Sequence, residues 1–266
     1  MTTAVANDVR EMLTEQVQYR GLLYEMTKRD LLLRYKQTVM GFGWAIFMPL
    51  INTAVFSVIF TRVAKIDVGV PYPLFAFCGL VIWNFFATSL RFSVSSLTSN
   101  TSLVTKIYFP REIFPFSAII VCAVDTLVAS VVLIGMLVYY HVGVGAALLY
   151  LPVIIVVHVA FTAGIALILA MANLYYRDIK YLFEAAITIA MFATTVLYPT
   201  SLFQGKTGLL VRANPMTPIL DAYRGVILQN TLPSSGFYVA AVMSFVLLAV
   251  AWLTFHRAEF QFAENI

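Results

Sequence analysis

From Gly41 to Phe255 the chain is a succession of apolar runs, each near the roughly 20 residues that a helix needs to cross a bilayer. A lipid interior offers no hydrogen-bond partners, so such runs fold as helices, which satisfy every backbone group internally. Six runs qualify: Gly41–Thr61, Tyr72–Leu90, Ile113–Tyr140, Ala146–Ala172, Tyr181–Tyr198 and Phe237–Phe255. Pro49 and Pro152 fall inside two of them, as kinks or hinges. A soluble core is excluded, because only 11% of residues are charged where an ordinary soluble domain carries about 25%. The expected fold is an all-α integral membrane protein with six spans.

Residues 1–40 form a separate unit in this reading, and 41–266 the transmembrane domain. Val9, Leu13 and Val17 recur every four residues, and Leu22, Leu23, Met26 and Leu31–Leu33 continue the apolar side. Arg20, Lys28, Arg29, Arg34 and Lys36 supply positive charge. The pattern predicts an amphipathic helix in the membrane interface, or one packed on the protein's own cytoplasmic face. No secretory leader pattern precedes it. Positive charge then sets orientation. With the N-terminus inside, the outer loops hold Arg62, Lys65, Lys206, Arg212 and Arg224, five of the 17 Lys and Arg, and the inner segments hold the other twelve. Both termini are therefore expected in the cytoplasm. Pro218–Leu228, on the outer side, reads as a helix that dips into the membrane without crossing, with Asp221 and Arg224 spaced to pair.

The stretch Ser99–Pro115 lies between two spans and is too structured for a plain loop. Ser99 or Asn100 is placed to cap a short helix. Leu103, Val104, Ile107 and Tyr108 share one face, Pro110 stops the helix, and Pro115 suits the first turn of the next one. This is a docking surface, with Asn100, Leu103, Lys106, Ile107, Tyr108, Phe109, Arg111 and Glu112 as its candidate contacts.

The remaining motifs mostly exclude functions. Gly205-Lys206-Thr207 imitates the end of a phosphate-binding loop, but Thr200 stands where the first glycine belongs. Cys78 and Cys122 lie singly in apolar runs and form no metal or redox motif. No clustered Asp, Glu or His suggests a membrane-embedded glycosyl or acyl transferase. An ion-coupled carrier needs more intramembrane ionisable groups than Asp125 and His158. Asp125 is expected in a structural hydrogen bond, with His158 or Arg91 as possible partners. Arg177 and Asp178 sit together at an inner boundary. Aromatic rings crowd the first two spans, and rings stack on the apolar faces of sugars. Trp44, Phe47, Phe56, Trp83, Phe86 and Tyr198 are the candidate pore-lining residues.

Several of these segments together carry a resemblance. They are Arg29-Asp-Leu-Leu-Leu-Arg-Tyr-Lys-Gln-Thr-Val-Met-Gly-Phe-Gly-Trp44, Gly79-Leu-Val-Ile-Trp-Asn-Phe-Phe86, Lys106-Ile-Tyr-Phe-Pro-Arg-Glu-Ile113, Tyr176-Arg-Asp-Ile179, Tyr198-Pro199 and Asn214-Pro-Met-Thr-Pro218 with Ala222-Tyr-Arg-Gly225. From about residue 20 onward the chain resembles type 2 ABC-transporter permeases, and within them the exporters of O-antigen, capsule or teichoic acid chains. The resemblance implies a homodimer working with two copies of a separate ATPase, which binds the ATP and magnesium, so that this chain needs no cofactor and is no enzyme. It implies that the Ser99–Pro110 segment and the N-terminal helix meet that ATPase. It implies a bacterial cytoplasmic membrane, a lipid-linked glycan as cargo, and no nucleic acid. Arg29, Arg34 and Lys36 then become candidates for the lipid diphosphate. A drug or lipid exporter would share the fold.

Overall fold

The computed structural model describes residues 10–12, 14–36, 38–63, 68–106, 109–143, 145–203, 205–259 and 262. Ile107 and Tyr108, two of the expected docking residues, lie outside them. A helical stretch at 14–18 leads into α1 (Arg20–Tyr35), followed by α2 (Gly43–Val58), α3 (Tyr72–Ser96), α4 (Thr101–Lys106), α5 (Ile113–Tyr139), α6 (Leu151–Tyr175), α7 (Ile179–Ala193), α8 (Gly205–Ala213), α9 (Met216–Arg224) and α10 (Ser235–Ala258). No strand occurs among the described residues.

The bundle is organised around α3. In its most apolar window 83% of residues are buried, against 11% for the segment Gly43–Arg62 that begins with α2. Leu74, Phe77, Leu80 and Leu90 are fully buried in one large core, which also takes in Ile154 of α6 and Ile219 of α9. A second core at the opposite end of α3 gathers Met26, Leu97, Val104, Phe109, Phe114, Leu174 and Phe255. The side of α1 carrying Met26 is thus docked on the protein, whereas its Leu32 and Leu33 stay exposed.

Among the described residues, five helical segments are long and apolar enough to cross a membrane: Gly43–Arg62, Tyr72–Ser96, Ile113–Tyr139, Ala146–Tyr175 and Ser235–Ala258. The run expected to span Tyr181–Tyr198 differs. Its helix, α7, has 15 residues, about 22 Å at 1.5 Å per residue. Thr194 is extended and Pro199 follows, so the apolar run continues while the helix does not. The non-helical backbone is paid for locally. Arg224 of α9 donates to the carbonyls of Thr195 and Val196, and the Tyr72 hydroxyl donates to that of Leu197 at 2.7 Å. Buried carbonyls outside a helix need such partners. The Arg224 guanidinium also stacks 3.7 Å over the Phe75 ring. Gly79 makes this approach possible, since a Cβ there would stand 2.2 Å from Arg224 Nη2 and 2.5 Å from the Val196 carbonyl. Arg224 is therefore not the partner of Asp221 that the spacing predicted; Asp221 accepts from the Thr200 hydroxyl at 3.0 Å.

Candidate functional site beside Arg34

Four helices meet around Arg34. It sits in the last turn of α1, where its side chain reaches Asp125 of α5 at 2.7 Å. The pair is largely withdrawn from solvent, at 24% and 16% side-chain exposure. The Tyr35 hydroxyl donates to the other Asp125 oxygen, and the Arg34 guanidinium lies 4.3 Å over the Phe92 ring of α3. Asp125 thus finds its partner in the N-terminal helix. The partners expected from the sequence are engaged elsewhere: Arg91 with Glu184 at 2.8 Å, and His158 among the rings of Phe85, Phe86 and Tyr223.

Beside this pair lies a groove of about 380 Å³ between α2, α3 and α5. Trp44 and Met48 form an apolar wall, and Asn52, Asn84, Thr88 and Asp125 set polar groups into it. Asn84 and Thr88 are one helical turn apart, as are Cys122 and Thr126, so each pair shares a face. A second groove, about 340 Å³, lies on the other side of Arg34, with Asp30, Ser95, Ser99 and Asn100 on its walls. Arg29 spans this region, donating to Asn100 at 3.0 Å and to Asp30 at 2.7 Å, and Ser117 donates to the second Asp30 oxygen at 3.0 Å. Asn100 is therefore no helix cap: its amide donates to the Ser96 carbonyl and its oxygen receives Arg29.

The sequence-predicted residues divide accordingly. Of the three headgroup candidates, Arg29 and Arg34 hold internal carboxylates and Lys36 is exposed. Among the pore candidates, Trp44 and Phe47 are exposed on α2, and Phe56 and Tyr198 are half-buried. Trp83, at 3% exposure, and Phe86, stacked on Phe161 at 5.6 Å, are packed inside the chain. In the docking stretch Leu103 is half-buried and Lys106 exposed, but Phe109, Arg111 and Glu112 turn inward. Arg111 donates to the carbonyls of Val104 and Glu259, and Trp252 donates to Glu112 at 3.0 Å. Arg177 and Asp178 are both exposed and form no ion pair with each other. The groove's Asn52, Asn84, Thr88 and Thr126 were not singled out from the sequence. Their signal was there, as polar side chains at helical spacing inside otherwise apolar spans.

These groups offer no nucleophile poised by a base. They offer hydrogen bonds, one aromatic wall and a cation whose charge is already balanced, an arrangement suited to binding. The family model for ABC-2 type transporters matches residues 21–228. The chain belongs to that family. Its match begins in α1 and ends in the turn after α9, so both the Arg34 groove and the Arg224 turn lie inside it. The chain is also 30% identical over 258 residues to the O-antigen export system permease protein RfbA of Myxococcus xanthus, covering 96% of this chain and 99% of the relative. Two Klebsiella pneumoniae proteins of the same name are 28% and 26% identical, each covering 91% of this chain and 94% of the relative. This family member is thus a multi-pass membrane protein related to transport permeases along nearly its whole length.

Proposed function

We propose that this chain is the permease subunit of an ATP-driven exporter that moves a lipid-linked polysaccharide of the O-antigen class across the bacterial cytoplasmic membrane. The near full-length similarity to the Myxococcus xanthus permease carries this reading. The groove beside Arg34 supports it: hydroxyl-rich cargo needs amide and hydroxyl partners next to an aromatic wall, and a lipid diphosphate needs a guanidinium within reach. Two copies of the chain flank the passage, with exposed α2 as one of its walls, and a separate ATPase supplies the energy. In an export-deficient strain this chain should restore surface glycan only together with its ATPase. The chain purified alone should turn over no ATP; turnover by the single polypeptide would overturn the assignment.

The reading includes α7 and the turn behind it as a sixth crossing. The contact of Glu15 with His256, 4.0 Å apart, brings the N-terminal stretch to the C-terminal end of α10. Both ends on one side require an even number of crossings. With both termini cytoplasmic, a cysteine placed at Ser102 or Lys180 should react with an impermeant thiol reagent only in opened cells, and one at Lys206 in intact cells with a breached outer membrane. Cys78 and Cys122 are buried, so the background is low. The reverse labelling would invert the orientation.

A further inference from the structure

A cluster of acidic and imidazole side chains lies away from the Arg34 groove, where the helical stretch 14–18, the start of α5 and the end of α10 converge. We propose that Glu15, Glu112 and His256, with Glu259 as a fourth donor, form a binding site for one divalent transition-metal ion, Zn2+ being the closest fit. One donor atom from each of Glu15, Glu112 and His256 lies within 4.8 Å of the other two. His256 Nδ1 stands 4.0 Å from Glu15 Oε2 and 3.7 Å from Glu259 Oε1. These gaps are too long for hydrogen bonds. Zinc binds carboxylate oxygen and imidazole nitrogen at about 2.0–2.2 Å, which sets neighbouring donors about 3.4 Å apart, so side-chain rotation of about 1 Å closes the shell.

A second observation is independent of the charge. His256 Nδ1, Glu112 Oε2 and Glu15 Oε2 are buried and have no hydrogen-bond partner among the described residues. Glu112 is 0% exposed and His256 5%. Unpaired polar atoms in such a place are costly, and the three residues that carry them each bring a donor atom within 4.8 Å of the others. The opposite oxygens are already held. Trp252 donates to Glu112 Oε1 at 3.0 Å, and the Arg111 backbone N–H donates to Glu259 Oε2 at 3.2 Å. Outer partners of this kind fix ligating carboxylates in metal sites. The Arg111 guanidinium does not fill the centre, because it is spent on the carbonyls of Val104 and Glu259. The donor set of carboxylates plus one imidazole suits zinc better than calcium or magnesium, which prefer oxygen alone.

An ion here would staple three separate segments. One of them, Glu112, lies two residues beyond Pro110, so the ion would fix the end of the docking stretch against α10. This assignment does not depend on the transported cargo. The competing occupant is a proton: burial first, and then the neighbouring Glu112, push the Glu259 carboxyl up to about 8.

The test uses the full chain in lipid nanodiscs, carried on a tag without histidine, stripped with a chelator and titrated with Zn2+. Bound zinc is read by elemental mass spectrometry, and thermal unfolding is followed in parallel. The wild type should retain about one zinc per chain and melt at higher temperature with zinc. Glu15→Gln and His256→Ala should lose that zinc and that shift. Trp252→Phe removes only an orienting bond and should weaken binding by about tenfold. Arg91→Gln, at a distant exposed ion pair, should behave as wild type. Glu15 is partly exposed, so Glu15→Gln decides the matter even where His256→Ala does not fold. Equal zinc retention by the wild type and Glu15→Gln, or none by the wild type, would overturn the proposal and leave the cluster to a shared proton.

Discussion

Replacing Asp125 with alanine should harm the protein more than replacing Asp125 and Arg34 together. Removing one member of a pair largely withdrawn from solvent leaves the other charged without compensation, at a cost of up to about 3–5 kcal/mol, the figure for full burial. Arg34 lies at 24% side-chain exposure against Phe92 and Cys122, with Asp125 as its one ion-pair partner among the described residues. Tyr35 loses its acceptor in the same change. The double variant Arg34→Met/Asp125→Leu removes both charges and keeps much of the volume, so stability should return most of the way. Export should not return with it if Arg34 also meets the cargo's diphosphate. Unfolding temperature in detergent and surface glycan per folded permease, measured for wild type, both single variants and the double, separate the two roles. Full recovery of both quantities in the double variant would make the pair a structural clasp. Additive losses in stability would show that the two side chains do not interact.

Much of the architecture was readable because membrane spans announce themselves by length and hydropathy. Five of the six expected runs begin within two residues of a helical segment long and apolar enough to cross, for that reason. The run ending at Tyr198 misled, because hydropathy reports burial and not helicity. Thr194–Tyr198 is apolar enough to sit at depth, yet its carbonyls are satisfied by Arg224 and Tyr72 from distant parts of the chain. No local pattern encodes that partnership. Asp125 failed in a similar way. The sequence marked it as a buried charge needing a partner, but its partner arrives from 91 positions away on a helix read as interfacial. Aromatic rings are ambiguous for another reason. Trp44 on the groove and Trp83 in the core have the same chemistry, and only the placement of α2 outside α3 tells them apart.

The segment after α3 carries two faces with opposite expected responses to mutation. Thr101, Ser102, Thr105 and Lys106 are exposed, while Val104 is buried in the core that also holds Phe109 and Phe114. Phe109 is 3% exposed, with its ring centroid 5.5 Å from that of Phe114. If the segment transmits force from an ATPase, the inner face must be rigid and the outer face must fit the partner. Phe109→Ala should therefore act as a core truncation, costing about 3–5 kcal/mol and lowering the amount of folded permease in the membrane. Lys106→Glu with Ser102→Trp should leave that amount unchanged, since both positions face outward. It should instead reduce co-purification of the ATPase, or keep the complex while ATP turnover proceeds without export. Membrane abundance, ATPase recovery and export measured on the same preparations read all three effects. Wild-type export from the Lys106→Glu/Ser102→Trp protein would remove the outer face from coupling. Normal abundance of Phe109→Ala would show that the inner face does not anchor the segment.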